Sequence, residues 1–156
     1  VPIYYNLGSL FFHEGNIEEA IKNLHECIKE AEKLEEPNPL LEDTFNLLAS
    51  IYFQKEKYQE SGKYYQQAVE FCEKTGSTGQ IDVYYRNLGL AHEYSGDIGK
   101  GVEYYRKAFD TALKGRGKEQ EITQSNLQLL IEGLKKQLRL NEAEELKKKY
   151  EYNSDE

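Results

Sequence analysis

The sequence predicts an all-α protein, a solenoid of stacked antiparallel helical hairpins with three clear repeats and a degenerate fourth. Three observations support this fold class. Apolar residues recur at helical spacing, the same residue pattern returns about every 40 residues, and turn-forming residues divide each copy into two helical stretches. Repetition at this period is typical of proteins that build one continuous core by stacking hairpins.

The repeat is anchored by small residues at equivalent positions. Around these anchors a leucine comes one residue before, an aromatic residue four before, and a second small residue twelve after. In chain order the anchors are Gly8, Ala49 and Gly89, the leucines Leu7, Leu48 and Leu88, the aromatics Tyr4, Phe45 and Tyr85, and the second small residues Ala20, Ser61 and Gly101. We expect the two small residues of each hairpin to face each other, so that the helix backbones approach closely.

Turn chemistry marks the corner of each predicted hairpin. Gly15 and Gly96 supply the left-handed conformation that ends a helix. Asn16 and Asn141, each followed by Glu three residues later, are predicted to cap the next helix. The second hairpin has Glu56 in place of the turn glycine, so its corner should be strained or shaped differently.

After the third repeat the pattern weakens. We expect a longer first helix over 122–140, with Leu138 on its apolar face, and then a strongly charged terminal helix. The whole of 1–156 is predicted to be one domain, with repeats at about 3–36, 40–76 and 80–115 and a degenerate capping hairpin at 119–152. The sequence lacks Met and its helical pattern begins at once without a cap, which favours a segment of a longer protein.

The combined columns resemble the tetratricopeptide repeat (TPR) family. In the first unit the resemblance rests on Tyr4-x-x-Leu7-Gly8-x-x-Phe11, followed by Ala20, Leu24 and Cys27. It extends over three units, to about residue 113. Tyr or Phe stands where the family usually has Trp, and the period is near 40 instead of the common 34 or so, which is similar to the longer-helix subgroup typified by kinesin light chain and bacterial peptide sensors. The resemblance implies a right-handed superhelix that binds proteins or peptides.

Composition argues against several classes of function. The net charge of −8 and pI of about 5.1 disfavour nucleic acid and anionic lipid as partners. No apolar run is long enough to span a membrane. Cys27 and Cys72 are predicted to be buried thiols in a reducing compartment, so we expect a cytoplasmic protein.

Catalysis is also disfavoured. His13, His25 and His92 form no metal-ligand motif, and the chain has neither a paired-cysteine motif nor a phosphate-binding loop. His92 stands in an aromatic column and is expected to be a packed core histidine. We therefore expect no enzyme activity, no catalytic residue, no metal and no cofactor.

In the first unit Tyr4, Leu7, Gly8 and Phe11 form the arc that is predicted to pack on the partner helix. A ligand-binding face is predicted opposite this arc on the first helix of each hairpin. The candidate peptide-binding residues are Tyr5, Asn6, Ser9, Phe12, Asn46, Ser50, Phe53, Arg86, Asn87, Leu90 and Tyr94, with His13, Leu47, Gln54 and Glu93 on the same faces. In stacked hairpins such faces line a concave groove, where amides can pair with a peptide backbone and rings can hold its side chains.

Asparagine recurs on this face at Asn6, Asn46 and Asn87, although Asn46 stands one residue earlier relative to its anchor. The ladder resembles the way some TPR proteins grip peptide backbone; alternatively, Asn is simply a tolerated polar residue on a wet face. Other relatives bind a C-terminal carboxylate through several cations. Arg86 is the only cation among these face positions, which argues against such a clamp.

The leading functional hypothesis is a non-enzymatic interaction module that binds a protein or peptide and acts as a scaffold or adaptor. Alternatively, the segment is a spacer in a longer repeat protein and self-associates through its repeat ends. A third hypothesis, implied by the resemblance to bacterial sensors, is a peptide-sensing regulatory domain of a larger protein.

Overall fold

The structure, a computed structural model, describes residues 1–150, and in this range it contains eight α-helices and no strand. In chain order they are α1 (Pro2–His13), α2 (Ile17–Ala31), α3 (Leu40–Gln54), α4 (Tyr58–Thr75), α5 (Ile81–Tyr94), α6 (Ile98–Arg116), α7 (Glu121–Lys136) and α8 (Leu140–Tyr150). Short turns join them into four hairpins, which confirms the predicted all-α repeat fold. The described chain forms two compact units, with the boundary between residues 77 and 78. In the described range no helix is both long enough and apolar enough to cross a membrane.

The first unit contains the first two hairpins. Its core joins Ala20 and Leu24 of α2 to Leu48 and Ile51 of α3, all at most 1% exposed. Helix α2 therefore packs on α3 as well as on its own partner α1. Beside this core, the Sγ atom of Cys27 lies 3.3 Å from the Oγ1 atom of Thr44.

The second unit contains the last two hairpins and is built in the same way. Val102, Tyr105 and Phe109 of α6 pack against Leu130 and Leu134 of α7. Helix α8 adds Ala143, which is fully buried in this core. Helix α6 therefore packs against helices of both hairpins in its unit.

The small residues of each hairpin do face each other, as predicted. A Cβ atom added to Gly8 would lie 3.3 Å from the carbonyl oxygen of Ala20, and one added to Gly101 would lie 3.2 Å from that of Gly89. In the second hairpin the Ser61 hydroxyl donates a 2.8 Å hydrogen bond to the carbonyl of Ala49. Close backbone approach therefore fixes the packing of these hairpins.

Both cysteines are buried and free, as predicted. Burial, together with the charge of Glu42, raises the pKa of the Cys72 thiol to about 12. At neutral pH this thiol is therefore protonated and packs as a small apolar side chain.

All four hairpins turn with the same backbone geometry. In the first, the N–H of Gly15 donates to Phe12 at 3.0 Å and the N–H of Asn16 donates to Phe11 at 2.8 Å. The equivalent bonds of the other three turns measure 2.8–2.9 Å. Each of the four turns has one residue in the left-handed region. In chain order these are Gly15 (φ +78°), Glu56 (φ +58°), Gly96 (φ +96°) and Leu138 (φ +60°). The second corner is therefore strained, as expected, but keeps the shape of the others.

The fourth hairpin departs from the prediction. Leu138 lies in the turn and is 82% exposed, because α7 already ends at Lys136. The prediction that Asn141 caps the last helix was also wrong, since α8 starts at Leu140 and Arg139 occupies the position before it. The predicted cap at Asn16 is confirmed, because its side chain accepts from the N–H of Glu19.

Replacing Glu56 or Leu138 with glycine is expected to raise the free energy of unfolding by about 0.5–1 kcal/mol. A left-handed conformation costs a residue with a Cβ atom about 1–2 kcal/mol, of which the greater freedom of glycine in the unfolded chain offsets a part. Urea titration followed by circular dichroism would measure the gain.

Lys55→Gly is the matched control, because Lys55 adjoins Glu56 but has a negative φ of −82°. This variant should lose about 0.5 kcal/mol through the flexibility of glycine alone. Equal losses in Lys55→Gly and Glu56→Gly would show that the turn stores no strain.

Candidate functional site

In the first unit the predicted binding face is carried by α1 and α3. Asn6 is exposed, whereas Tyr5, Ser9, Phe12 and Asn46 are half-buried. The rings of Tyr5 and Phe12 pack against the core shared by α2 and α3, and each keeps part of its surface accessible. These two aromatics therefore both support the fold and present apolar surface.

Ser50 and Phe53 continue this face along α3. The Ser50 hydroxyl lies 2.9 Å from the carbonyl of Asn46, to which it donates, and 3.2 Å from the hydroxyl of Tyr65. The Phe53 ring meets the Tyr58 ring edge-on at 5.1 Å between centroids. Both side chains are thus held in place by contacts within the second hairpin.

In the second unit the predicted face lies on α5. Arg86, Asn87 and Leu90 are half-buried, and Tyr94 is 59% exposed. Leu90 packs against the core formed by α6 and α7, so only part of its surface remains accessible. Each of the eleven predicted residues, in either unit, is therefore at least partly exposed, and none lies wholly inside a core.

Glu93 also lies on this face, but it is engaged within the fold. It accepts a 2.5 Å hydrogen bond from the hydroxyl of the buried Tyr105 and pairs with Lys136 of α7. Burial alone would raise the pKa of Glu93, but the hydrogen bonds from Lys136 and Tyr105, together with the charge of Lys136, hold it below its usual value. This carboxylate therefore joins three helices and is poorly placed to bind a ligand.

The three asparagines keep their hydrogen-bonding groups available. Within residues 1–150, the side-chain amides of Asn6, Asn46 and Asn87 make no hydrogen bond to another part of the chain. The matching turns show that Leu47, and not Asn46, is equivalent to Asn6 and Asn87. Asn46 instead occupies the position of Tyr5 and Arg86, so the asparagines do not form one aligned column.

A charged residue borders the predicted binding face of the first unit, and it was not identified from the sequence. Burial raises the pKa of Tyr5, and the charge of Asp43, which lies one turn before Asn46 on α3, raises it further. Burial and the neighbouring Glu42 in turn raise the pKa of Asp43. Its position in the first turn of the helix resembles an ordinary helix-start carboxylate, and therefore gave no separate signal.

His92 packs against an aromatic side chain, as predicted. Its ring stacks on Tyr104 at 5.4 Å with an angle of 6° between the planes, and burial lowers its pKa. The Nζ atom of Lys107 lies over the rings of Tyr85 and Tyr104, 5.7 and 5.3 Å from their centroids.

In the described chain no group of three or more His, Cys, Asp or Glu side chains is arranged to hold a metal ion.

The second unit also contains a depression of about 740 Å³ between the start of α5 and the end of α6. Its lining residues include Asp82, Asp110, Lys114 and Arg116. Arg116 spans it, donating to both carboxylate oxygens of Asp82 at 2.8 and 3.0 Å and to the carbonyl of Gly79 at 2.8 Å. Arg116 and Asp82 satisfy each other, so this ion pair ties the two helix ends together.

Replacing Arg116 with methionine is expected to lower the free energy of unfolding by about 1 kcal/mol. The side chain of Asp82 is only 3% exposed and would lose both of its donors, although the exposure of Arg116 itself weakens the effect. Urea titration would measure the loss. Lys114→Met, which removes a neighbouring surface charge, should change stability by far less; equal losses in the two variants would contradict this role for Arg116.

Comparison with known proteins agrees with this architecture. Tetratricopeptide repeat models match residues 1–34 and 40–114, which together make up more than half of the chain. A comparison of the sequence with curated proteins gives no significant match.

Several solved structures share the fold at low sequence identity. BtubC (BKLC) from P. vanneervenii is 19% identical over 91% of this chain, with a TM-score of 0.76. The apo form of RapI is 13% identical over 94%, with a TM-score of 0.81. Aspartyl phosphate phosphatase F from Bacillus subtilis is 13% identical over 94%, with a TM-score of 0.76.

The chain spans 57% of the BtubC chain, 40% of RapI and 38% of phosphatase F. At these identities the likeness concerns the fold. The repeated hairpins, the turns they share and the two family-model matches lead to one conclusion: the chain belongs to the tetratricopeptide repeat family, whose repeats form protein-interaction modules.

Proposed function

We propose that this module binds an extended peptide through the accessible faces of its first helices. The observation that carries the proposal is the state of the three asparagines. Asn6, Asn46 and Asn87 present amides that are unused by the described fold, on the same helices as partly exposed aromatic rings. A peptide backbone offers the donors and acceptors that such amides need.

The aromatic and charged neighbours support the same ligand class. In the first unit Tyr5 and Phe12 offer apolar surface for peptide side chains, and the carboxylate of Asp43 favours a basic group beside Tyr5. In the second unit Arg86 favours an acidic group near Asn87. Bound in this way, the module acts as a scaffold or adaptor and carries out no chemistry of its own.

Selection from a random-peptide library on the purified protein is the direct test, followed by affinity measurements on the recovered peptides. Asn87→Ala is expected to weaken the selected peptides about tenfold, because it removes one or two backbone hydrogen bonds worth about 1.4 kcal/mol together. Circular dichroism should show an unchanged fold.

Asn23→Ala is the matched control. Asn23 lies on α2, away from the proposed face, and its amide already donates to the carbonyl of Glu19 at 2.8 Å. This variant should bind the selected peptides as the parent protein does. Unchanged affinity across alanine variants of Asn6, Asn46 and Asn87 would overturn the proposal.

A further inference from the structure

One face of α1 exposes a stripe of large apolar side chains. Ile3 is 73% exposed, Leu7 is 36% exposed and Leu10 is 50% exposed. They are spaced four and three residues apart, so they lie along one side of the helix. The sequence pattern placed Leu7 in the packed arc, and the structure corrects this. We call these three residues the α1 stripe.

The same positions are buried in the second hairpin. The turns and anchors align Thr44, Leu48 and Ile51 of α3 with the α1 stripe, and these three side chains are at most 1% exposed. The fourth hairpin repeats this arrangement, because Asn126 and Leu130 of α7 are fully buried and Gly133 is buried beside them. Exposure at these positions is therefore specific to α1 and is no general property of the repeat.

In both units the helix that covers the equivalent stripe is the second helix of the preceding hairpin. In the first unit it is α2, whose Leu24 packs with Leu48 and Ile51 and whose Cys27 meets Thr44. In the second unit it is α6: the amide of Asn126 donates to the carbonyl of Ala108, and a Cβ atom added to Gly133 would lie only 2.7 Å from Val102. Each stripe is closed by the second helix of a hairpin.

We propose that the α1 stripe is a docking surface for an amphipathic partner helix with the chemistry of α2. Such a helix presents alanine, leucine and cysteine-sized residues on its contacting side, as α2 does with Ala20, Leu24 and Cys27. The contacts of this helix with the α1 stripe would repeat those that α2 makes with α3, with equivalent residues opposite each other. Asn6 borders this stripe on α1, three residues after Ile3 and four before Leu10, whereas Asn46 and Asn87 of the proposed peptide site lie on other helices.

The charges of α8 argue against a second copy of this chain that packs its last helix on the stripe. Helix α1 has no Asp, Glu, Lys or Arg residue, so its stripe selects by apolar contact and shape. The exposed side of α8 carries Glu144, Glu145, Lys147 and Lys148, which would lose their hydration against that stripe. Head-to-tail stacking of two copies through α8 is therefore unfavourable.

The test uses this chain with one defined probe, a fluorescent peptide of residues 16–32 carrying Cys27→Ala to prevent oxidation. Fluorescence anisotropy is expected to show saturable binding that depends little on salt, because no charge of α1 takes part. Amide signals of residues 3–10 should shift in NMR spectra of the labelled protein. A probe that also carries Leu24→Glu should not bind.

Variants of the stripe provide the control. Leu7→Glu and Ile3→Glu should each weaken the probe at least about tenfold, since each places a charge against an apolar helix. Because Ile3 is largely exposed, its variant keeps the test valid should Leu7→Glu unfold. Leu138→Glu introduces the same kind of change at an 82% exposed leucine in the turn of the fourth hairpin, and should bind the probe normally.

Three results would overturn the proposal. The first is no saturable binding, or equal binding by all three variants. The second is NMR shifts confined to α2 and α3, which would mean that the probe only replaces the chain's own helix. The third is a dimer of the protein alone in sedimentation experiments that Leu7→Glu abolishes, because the occupant would then be a second copy. If the probe does not bind but library-selected peptides still bind, the docking proposal fails and the proposed function stands.

Discussion

Replacing Tyr105 with alanine is expected to lower the free energy of unfolding by about 3–5 kcal/mol, the range for removing a large buried aromatic side chain. Tyr105 is 1% exposed and lies between two helices. A Cβ atom added to Gly89 of α5 would lie 2.6 Å from its ring, and one added to Gly133 of α7 would lie 3.3 Å from it. Because glycine has no side chain, neither of these two positions can fill the cavity.

Tyr105→Phe distinguishes the contribution of the ring from that of the hydroxyl, because it removes only the hydroxyl. The hydroxyl donates to Glu93, and burial followed by that hydrogen bond raises the pKa of Tyr105. Losing the hydroxyl should cost about 1–2 kcal/mol, since Glu93 keeps its pairing with Lys136. Urea titration with circular dichroism would measure both variants, and equal losses for alanine and phenylalanine would show that the ring contributes little.

Replacing Gly89 with alanine is expected to cost about 2 kcal/mol. The added methyl group would lie 2.6–2.7 Å from two ring carbons of Tyr105 and 3.0 Å from the carbonyl oxygen of Gly101. Neither neighbour can move freely, because the ring is enclosed and the carbonyl belongs to a helix backbone. Because all three of these atoms lie at 3.0 Å or less, the overpacking penalty should lie near the upper end of its usual range of about 1–3 kcal/mol. It exceeds the roughly 1 kcal/mol by which alanine favours a helix, which leaves a net loss of about 2 kcal/mol.

Gly115→Ala is the matched control for this prediction. Gly115 lies in α6 of the same unit, and no atom lies within 4 Å of a Cβ atom added there. This variant should gain about 0.5–1 kcal/mol from helix propensity alone. The same urea titration would measure both glycine variants, and a gain for Gly89→Ala as well would contradict tight packing of α5 on α6.

The second hairpin shows why one repeat tolerates a residue that another excludes. Ala49 stands at the position of Gly89 and is fully buried. The tyrosines opposite them reach different partners: Tyr65 contacts Ser50, whereas Tyr105 contacts Glu93, three residues further along the helix. The ring positions, and therefore the space left for a methyl group, differ between otherwise equivalent hairpins.

The first three hairpins could be predicted because the repeat places all three, and local chemistry agrees with it in the first and third. Gly15 and Gly96 signal their turns directly, and the column of small residues predicts which backbones meet. The fourth hairpin could not be placed in the same way. Its left-handed turn residue is Leu138, which continues the apolar pattern of α7 and gives no local sign that the helix has ended.

The candidate site divides along similar lines. Helical periodicity places eleven residues on accessible faces, and each of them is at least partly exposed in the structure. Periodicity alone does not show that Glu93 is bound to Tyr105 and Lys136, because Lys136 lies in another hairpin. Nor does it detect the proximity of Asp43 to Tyr5, which arises from packing between α1 and α3.

By itself, the sequence determined the all-α repeat class, the family and the positions of most turns. Each of these depends on side-chain size and backbone freedom within about 40 residues, and both can be read along the chain. Only the tertiary structure decided which surface positions are available. The availability of a side chain depends on whether another helix covers it: the same stripe of residues is buried on α3 beneath α2 and exposed on α1.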